Sequence, residues 1–489
     1  MARRGCHLQE GNTMTPSLPL IRGHIDGRWL DDGNPFDVIA PQSGQVVARV
    51  LETPPELVDE AVAAAVRAKP AVRAMPPYER AALLRRVQAA TLERLDEIAI
   101  AITRETGKVL RDTREEVRRA SDTLGLCAEE AIRIQGEHVP LDGSAVGAGK
   151  LAMMLRFPVG VVGAIVPYNA PFNLACHKFG PSFAAGNATV MKSAPEAPSC
   201  TTMLVEMFEK AGAPKGAANL VHGRTATGEA LVANPGVDFI SFTGSSRGGA
   251  AVKRAAGMRR VLLELGGLGP NIVHADADVD KAAAMAALHG TRLAGQSCIS
   301  VQNLFVHRSV LDRFLELHVA AVRKLKLGDP MDAATDVGPV INEAAAIRIE
   351  SWLQEARGAG ARILCGGGRQ GAYIEPTVVT DTREDMKVVC QEIFGPVIVV
   401  RPYGELDEPI RWINASGFGL NCGIFTASLT TAFRAIREIE CGGVIINGTS
   451  SFRPDQVPYG GIRNSGLGRE GPRFSIEEMT EQRLVVFSQ

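Results

Sequence analysis

The sequence predicts an α/β protein of two or three domains, with parallel sheets covered by helices on both faces. Three observations predict it. Short apolar runs ending in glycine or a polar residue alternate with stretches of helical periodicity, the pattern of strands joined by crossover helices. The chain has 489 residues, more than one ordinary core holds. Hydrophobic residues make up 45% and charged residues 22%, the ordinary balance of a globular chain.

The elements follow in order. The opening MARRGCHLQEGNTMTP lacks the apolar h-region of a secretory signal, so residues 1–18 are expected to form a flexible extension, with Met14 an alternative start. Leu84, Val87, Leu92, Leu95, Ile98 and Ile102 fall roughly three to four apart with charges between them, so residues 79–124 read as long helices. Segment 136–158 reads as a β-hairpin whose Gly/Ser/Ala-rich middle, 143–149, projects from the body. From 159 the rhythm changes. VGVVGAIVP (159–167), ATVMK (188–192), ANLVHG (218–223), FISFTG (239–244) and RVLLELGG (260–267) read as strands, with helices such as TTMLVEMFEKAG (201–212) between them. A second α/β series comprises NLFVH (303–307), a helix over 309–324, PVIVV (396–400), NCGIFT (421–426) and GGVIIN (442–447). The closing RLVVF (483–487) is expected to join the 136–158 hairpin in a small sheet shared between subunits.

Composition narrows the function. A formal net charge of -1 offers no global field for nucleic acid or an anionic membrane. No apolar run reaches the roughly eighteen residues of a spanning helix. The nine cysteines, at 6, 127, 176, 200, 298, 365, 390, 422 and 441, form no C-x-x-C pair, and their odd number argues against a disulfide framework. The expectation is a protein of the reducing cytosol without a metal site.

Five places could carry chemistry. FTGSSRGG (242–249) joins a strand to a helix: Gly244 permits a tight turn, and Ser245 sits where a helix N-terminus attracts phosphate. Such turns also occur without a ligand, and this one is not G-x-G-x-x-G. Lys192 ends a neighbouring strand, where open α/β sheets place nucleotides and where solvated lysines also stand. Glu264, in LELGG, is either a structural cap or a general base beside bare backbone. Asn169, in PYNAP, is either a turn residue or an oxyanion donor. Cys298, in GQSC, is either an inert buried thiol or a nucleophile whose ionisation a helix N-terminus would favour.

Together, PYNAPFN (167–173), GNATVMK (186–192), FTGS (242–245), LELGG (263–267), GQSC (295–298), EIFGPV (392–397) and PYGGIRNSGLGREG (458–471) resemble the aldehyde dehydrogenase superfamily over nearly the whole chain. The 34-residue separation of Glu264 and Cys298 is also the family's. The resemblance implies a Rossmann-like cofactor domain over 19–135 and 159–263, an α/β catalytic domain over 264–465, and a small β oligomerisation arm from 136–158 and 466–489. A homodimer or homotetramer is implied, acting on a small aldehyde without nucleic acid or membrane. Cys298 would attack the carbonyl, Asn169 and the Cys298 amide would hold the oxyanion, and Glu264 would activate water against the thioester. Lys192 and Glu196 would bind the adenosine ribose, Gly244, Ser245 and Gly249 the pyrophosphate turn, and Ile165, Pro167, Glu392 and Phe394 the rest of the dinucleotide.

Two features bear on specificity. Many relatives read K-P-x-E after the strand, whereas here Pro195 takes the acidic position and Glu196 is displaced by one. NAD is favoured, with NADP possible, because no arginine is evident for a 2′-phosphate. The implied substrate wall reads Ala170, Asn173, Leu174 and His177, then Arg292 and Ser297, then Phe452 and Arg453. Two arginines and a histidine suit an anionic head group, unless the arginines close internal ion pairs. The run SSFRPDQVPYGGIRNSGLGREG is also similar to the lactaldehyde and phosphonoacetaldehyde dehydrogenase branch, which implies a short phosphonate- or carboxylate-bearing aldehyde. The alternatives are CoA-acylating semialdehyde oxidation, disfavoured by Glu264, and oxidation of a neutral short aldehyde.

Overall fold

The computed structural model describes residues 18–488, so the expected extension lies outside the described residues up to residue 17, as do Met14 and Cys6. Two large sheets organise the chain. The first has eight strands in the order Gly466–Leu467, Arg260–Glu264, Phe239–Thr243, Val161–Ile165, Ala188–Lys192, Ala218–Val221, His24–Ile25 and Arg28–Trp29. Its five central strands are parallel, as the strand–helix alternation predicts. Helices cover both faces, so these strands are apolar without alternation; Val161, Val162, Ala164, Val190 and Met191 are fully buried.

Winding in this sheet reverses at Val161–Ile165. The chain steps outward through 188–192 and 218–221, then returns to the other side with 239–243 and 260–264. The carboxyl ends of strands flanking such a reversal leave a crevice, and Pro167, Asn169, Gly244 and Ser245 follow directly from them. Between them runs the helix Pro171–Ala185, buried along its whole length, started by Pro171 at its first turn and ended by Gly186 at φ 91°.

The second sheet has seven strands in the order Arg362–Cys365, Thr377–Thr380, Val397–Tyr403, Asn303–His307, Pro270–Val273, Asn421–Phe425 and Gly443–Ile446, parallel except at the first pair. Pro270–Val273 is central here, although its leading proline and short apolar run hid it in the sequence; proline is tolerated because it stands first in the strand. The helical region resolves into Pro77–Glu93, Leu95–Thr106 and Leu110–Ala131, the second ending at left-handed Gly107 (φ 71°).

The segment read as a hairpin forms Glu137–Val139 and Leu151–Pro158, and Thr480–Phe487 pairs antiparallel along the whole second strand. Of residues 466–489, only this last strand joins the small sheet. Gly466–Leu467 pairs with Arg260–Glu264 in the first sheet, and Pro472–Glu478 is a helix packed against Pro171–Ala185. A further sheet of Leu20–Ile21, Val46–Glu52 and Asn34–Ile39 was not foreseen, although Phe36 and Val38 alternate inward along its edge strand.

Candidate active site

Strand ends of the first sheet and turns of the second meet around a cavity of about 390 Å³. Cys298, Glu264 and Asn169 all line it, together with Pro167, Gly244, Ser245, Glu392 and Phe394. Three parts of the chain far apart in sequence therefore converge on one cavity.

The local structure around Cys298 differs from expectation in one respect. No helix begins there. The cysteine lies on a tight turn between the helix Val279–Thr291 and the strand Asn303–His307. Leu293 (φ 56°), Ala294 (φ 52°) and Gly295 (φ 71°) precede it in left-handed conformations. Gly295 is required: a Cβ there would stand 1.9 Å from the Gly395 carbonyl oxygen. For Leu293 and Ala294 the conformation is strained by about 1–2 kcal/mol per residue. Burial pushes the half-buried Cys298 thiol up to about 12, against the opposing hydrogen bond from Tyr459 and the charge of Arg453. Its hydroxyl partner Tyr459 stands 3.2 Å away. The cation and donor that oppose burial thus come from the C-terminal segment rather than from a helix dipole.

Asn169 is held in place by its own amide. Its Nδ2 donates to the Gln296 carbonyl at 3.1 Å, which leaves its second proton free. The backbone N–H of Cys298 meets no protein acceptor among the described residues. Glu264 ends its strand with both carboxylate oxygens buried and without a hydrogen-bond partner. Burial, reinforced by the charge of Glu470, raises its carboxyl well above the ordinary range.

A set of paired charges also lines the cavity. Arg292 Nε is 3.2 Å from Asp112 Oδ1, Arg119 Nη2 is 2.8 Å from Asp455 Oδ1, and Arg453 Nη2 is 3.0 Å from Glu470 Oε2. Glu470 is held in turn by Lys178 at 3.1 Å. Both arginines named from the sequence therefore close internal ion pairs, and both still face the cavity. Glu116 pairs with Lys108 and accepts the N–H groups of Phe172 (2.9 Å) and Asn173 (3.2 Å), capping the helix that follows Asn169.

Ala170, Asn173, Leu174 and Ser297 line the cavity as expected, but His177 and Phe452 do not. His177 lies one helical turn deeper than Asn173, with Nε2 3.0 Å from Asp455 Oδ1. Its imidazole supports Asp455, and burial lowers it below its ordinary value. Phe452 is 61% exposed: Ser451 and Arg453 point inward, so the residue between them points out. Gly249 makes no cavity face either. A Cβ there would stand 2.4 Å from the Leu265 side chain, so its role is close packing of a helix on the residue that follows the strand Arg260–Glu264.

The remaining positions suit an extended, partly anionic ligand. Ser245 caps the helix Ser246–Ala256, accepting from the Gly248 amide at 3.1 Å, and the first turn carries no acid. Glu392 accepts from the Gly267 amide at 3.1 Å and is pushed up to about 7 by burial. Gly266 is bare where a Cβ would meet Glu392 at 2.4 Å. Phe394 meets Tyr168 edge-on, with ring centroids 6.2 Å apart. Lys192, outside the cavity lining, ends its strand and is lowered to about 8 by burial, opposed by Glu196 and Glu52. Gly228 lies beside Ile165 and Lys192, where a Cβ would make ordinary contact at 3.8 and 4.0 Å. A phosphate-ready helix end, with a buried carboxylate on the same cavity and a buried lysine at the end of a neighbouring strand, fits a dinucleotide.

Sequence reasoning missed Lys108, Asp112, Glu116, Arg119, His289 and Tyr459, all of them on the cavity. Asp112, Glu116 and Arg119 recur at helical spacing on Leu110–Ala131, a signal present in the sequence.

The aldehyde dehydrogenase family matches residues 29–485. The chain is 43% identical to the 3-sulfolactaldehyde dehydrogenase of Priestia aryabhattai, over 95% of this chain and 97% of that protein. It is 34% identical to the sulfoacetaldehyde dehydrogenase of Neptuniibacter caesariensis, over 93% and 99%. Among solved structures, aldehyde dehydrogenase 21 from Physcomitrella patens, in complex with the reaction product succinate, superposes with a TM-score of 0.93 at 38% identity, covering 96% of this chain and 98% of that one.

Proposed function

Since this chain belongs to the aldehyde dehydrogenase family of NAD(P)-dependent oxidoreductases, we propose that it oxidises a short anionic aldehyde to the carboxylic acid through Cys298. The observation that carries this reading is the placement of Cys298, Glu264 and Asn169 on one cavity that also holds Arg119 and Arg292.

The chemistry follows from the groups. Cys298, as thiolate, bonds to the carbonyl carbon, and the π pair moves to oxygen. The free proton of Asn169 Nδ2 and the unengaged Cys298 N–H donate to that oxyanion, where charge develops in the transition state. Collapse of the thiohemiacetal expels hydride and leaves a thioester on the sulfur. The chemistry supplied from outside the chain is a hydride acceptor, which an oxidised nicotinamide dinucleotide provides when bound. Ser245, Glu392, Phe394 and Lys192 would hold it. Glu264, once ionised, removes a proton from water, whose oxygen bonds to the thioester carbon as the C–S bond breaks and its electron pair returns to sulfur. The buried, unpartnered carboxyl of Glu264 favours water over CoA as the acyl acceptor.

Arg292 and Arg119 support the anionic head group. Their side chains are 41% and 34% exposed at the cavity, so both guanidinium groups keep donors for a carboxylate, sulfonate or phosphonate. Two of the relatives above are named for sulfonate-bearing aldehydes. NAD is the proposed cofactor, because Lys192 is faced by two carboxylates, Glu196 and Glu52, which oppose a 2′-phosphate. A homodimer or homotetramer is proposed through Thr480–Phe487, an edge strand that exposes Leu484, Val486 and Phe487.

The test is an absorbance screen at the reduced-nicotinamide band over short aldehydes with sulfonate, phosphonate, carboxylate, methyl and trimethylammonium tails. Anionic tails are expected to give the highest kcat/KM with NAD and no requirement for CoA. A preference for the methyl or trimethylammonium tail would discard the head-group assignment, and turnover that survives Cys298→Ala would discard the nucleophile.

A further inference from the structure

Tyr459 is 5% exposed, and its hydroxyl is the one polar side-chain group bonded to Cys298 Sγ among the described residues, at 3.2 Å. Its backbone is fixed on both sides: the Tyr459 amide donates to the Glu470 carbonyl at 3.0 Å, and the Glu470 amide donates back at 2.6 Å. Its ring is covered by Arg453, whose Cζ lies 3.9 Å from the ring centroid. Arg453 cannot drift away, because Glu470 holds it at 3.0 Å and Lys178 holds Glu470 at 3.1 Å. The next residue, Gly460, is bare where a Cβ would stand 2.8 Å from Glu264 Oε1. The Tyr459–Gly460 turn therefore touches the sulfur on one side and the carboxyl on the other.

We propose that the Tyr459 hydroxyl is a catalytic hydrogen-bond donor to the Cys298 sulfur, held in aim by the stacked Arg453. The inference rests on the reading of Cys298 as nucleophile. A hydroxyl beside a thiolate donates, because the thiolate has no proton to give. Burial holds the Tyr459 hydroxyl well above its ordinary range, so it keeps its proton while the sulfur ionises. Tyr459 is thus no base; the O–H bond stays intact throughout. It stabilises the sulfur anion twice, when the thiolate forms before attack and when the C–S bond of the thioester breaks and its electron pair returns to sulfur. The charged groups around the sulfur divide in sign: Arg453 favours the thiolate, and Glu264 and Glu392 oppose it. Around Arg453 stand Glu470, Asp455 and Glu264. Removing one neutral donor leaves that field unchanged, so the effect of the hydroxyl can be read separately.

Tyr459→Phe keeps the ring and the Arg453 stack while deleting the donor. The measurement is the pH profile of Cys298 alkylation by iodoacetamide in the full-length enzyme, read by mass spectrometry, alongside the amplitude and rate of the reduced-nicotinamide burst. A charge-assisted hydrogen bond predicts a roughly tenfold fall in alkylation rate near neutral pH, a profile moved alkaline, and slower burst and steady-state phases alike. As a second preparation, the wild-type sequence carrying 3-fluorotyrosine at its five tyrosines has a more acidic, stronger donor, and its profile is expected to move acid. Superimposable profiles in either preparation overturn the proposal while leaving the nucleophile assignment intact. Activity that survives Cys298→Ala overturns both.

Discussion

Arg292 Nε stands 3.2 Å from Asp112 Oδ1, tying the turn that carries Cys298 to the helix Leu110–Ala131 across the cavity. The pair joins the loop of the proposed nucleophile to the wall where a substrate tail would lie, so each partner is available to answer an arriving anion. Arg453, the other arginine of the sequence reading, is committed more deeply, between Glu470 and the Tyr459 ring.

That difference separates two substitutions. Arg292→Ala is expected to raise KM for a sulfonate- or carboxylate-bearing aldehyde roughly tenfold, with little change for propanal. The magnitude sits at the lower end for a charged hydrogen bond because the side chain is 41% exposed. Arg453→Ala should impair both substrates alike, through kcat. Steady-state kinetics on the two aldehydes checks both, and equal KM effects of Arg292→Ala on both substrates would refute the anion role.

Glu264 gives a pH dependence. Its carboxyl is raised by burial and by Glu470, so in the proposed role of base it is competent only above that raised range. Thioester hydrolysis should therefore accelerate as pH rises, while Glu264→Gln should yield one equivalent of reduced cofactor per site and then stall. Rapid-quench burst kinetics across pH 6–9 tests this; a Glu264→Gln enzyme that keeps the wild-type steady-state rate would remove Glu264 from the mechanism.

Asp455 collects Arg119, His177 and Asn173. Burial alone would raise its carboxyl, but the hydrogen bond from His177 and the charge of Arg119 outweigh burial and hold it below the ordinary carboxylate range. A depressed carboxyl contributes stability that is present above the unfolded value, about 3.9, and lost as pH falls through the folded one. Asp455→Ala should lower stability by about 3 kcal/mol near neutral pH, since it leaves buried partners unmatched. The gap between wild type and variant in urea midpoint should narrow below pH ~4. A gap that widens in acid would contradict the assignment.

Glu196 and Glu52 both face Lys192, yet only Glu196 was visible as a motif neighbour. Glu52 comes from the strand Val46–Glu52 and accepts the Arg224 amide at 3.0 Å. The double substitution Glu52→Gln with Glu196→Gln is expected to shift the NADP-to-NAD ratio of kcat/KM roughly tenfold toward NADP, the loss of like-charge repulsion against a 2′-phosphate. Kinetics with both dinucleotides at one ionic strength reads it directly; an unchanged ratio would clear both carboxylates of any part in discrimination.

Local pattern was sufficient for the five central parallel strands of the first sheet and for the chemistry-bearing motifs. An apolar run such as VVGAI has one low-energy use in a sheet covered on both faces, and LELGG, GQSC and PYNAP carry their residue types at fixed spacing. Which side chains reach the cavity was decided by tertiary structure. His177 turned inward to Asp455 because a buried polar group must find a partner, and Phe452 turned outward because its neighbours took the inner face. Tyr459, Arg119 and Glu52 entered the site from segments far away in the chain, and sequence spacing is silent on such meetings. The environment of Cys298 shows the same division: its identity was legible in four residues, but the left-handed turn that presents it, and the hydroxyl and cation set against its burial, exist only once the two sheets have closed on one another.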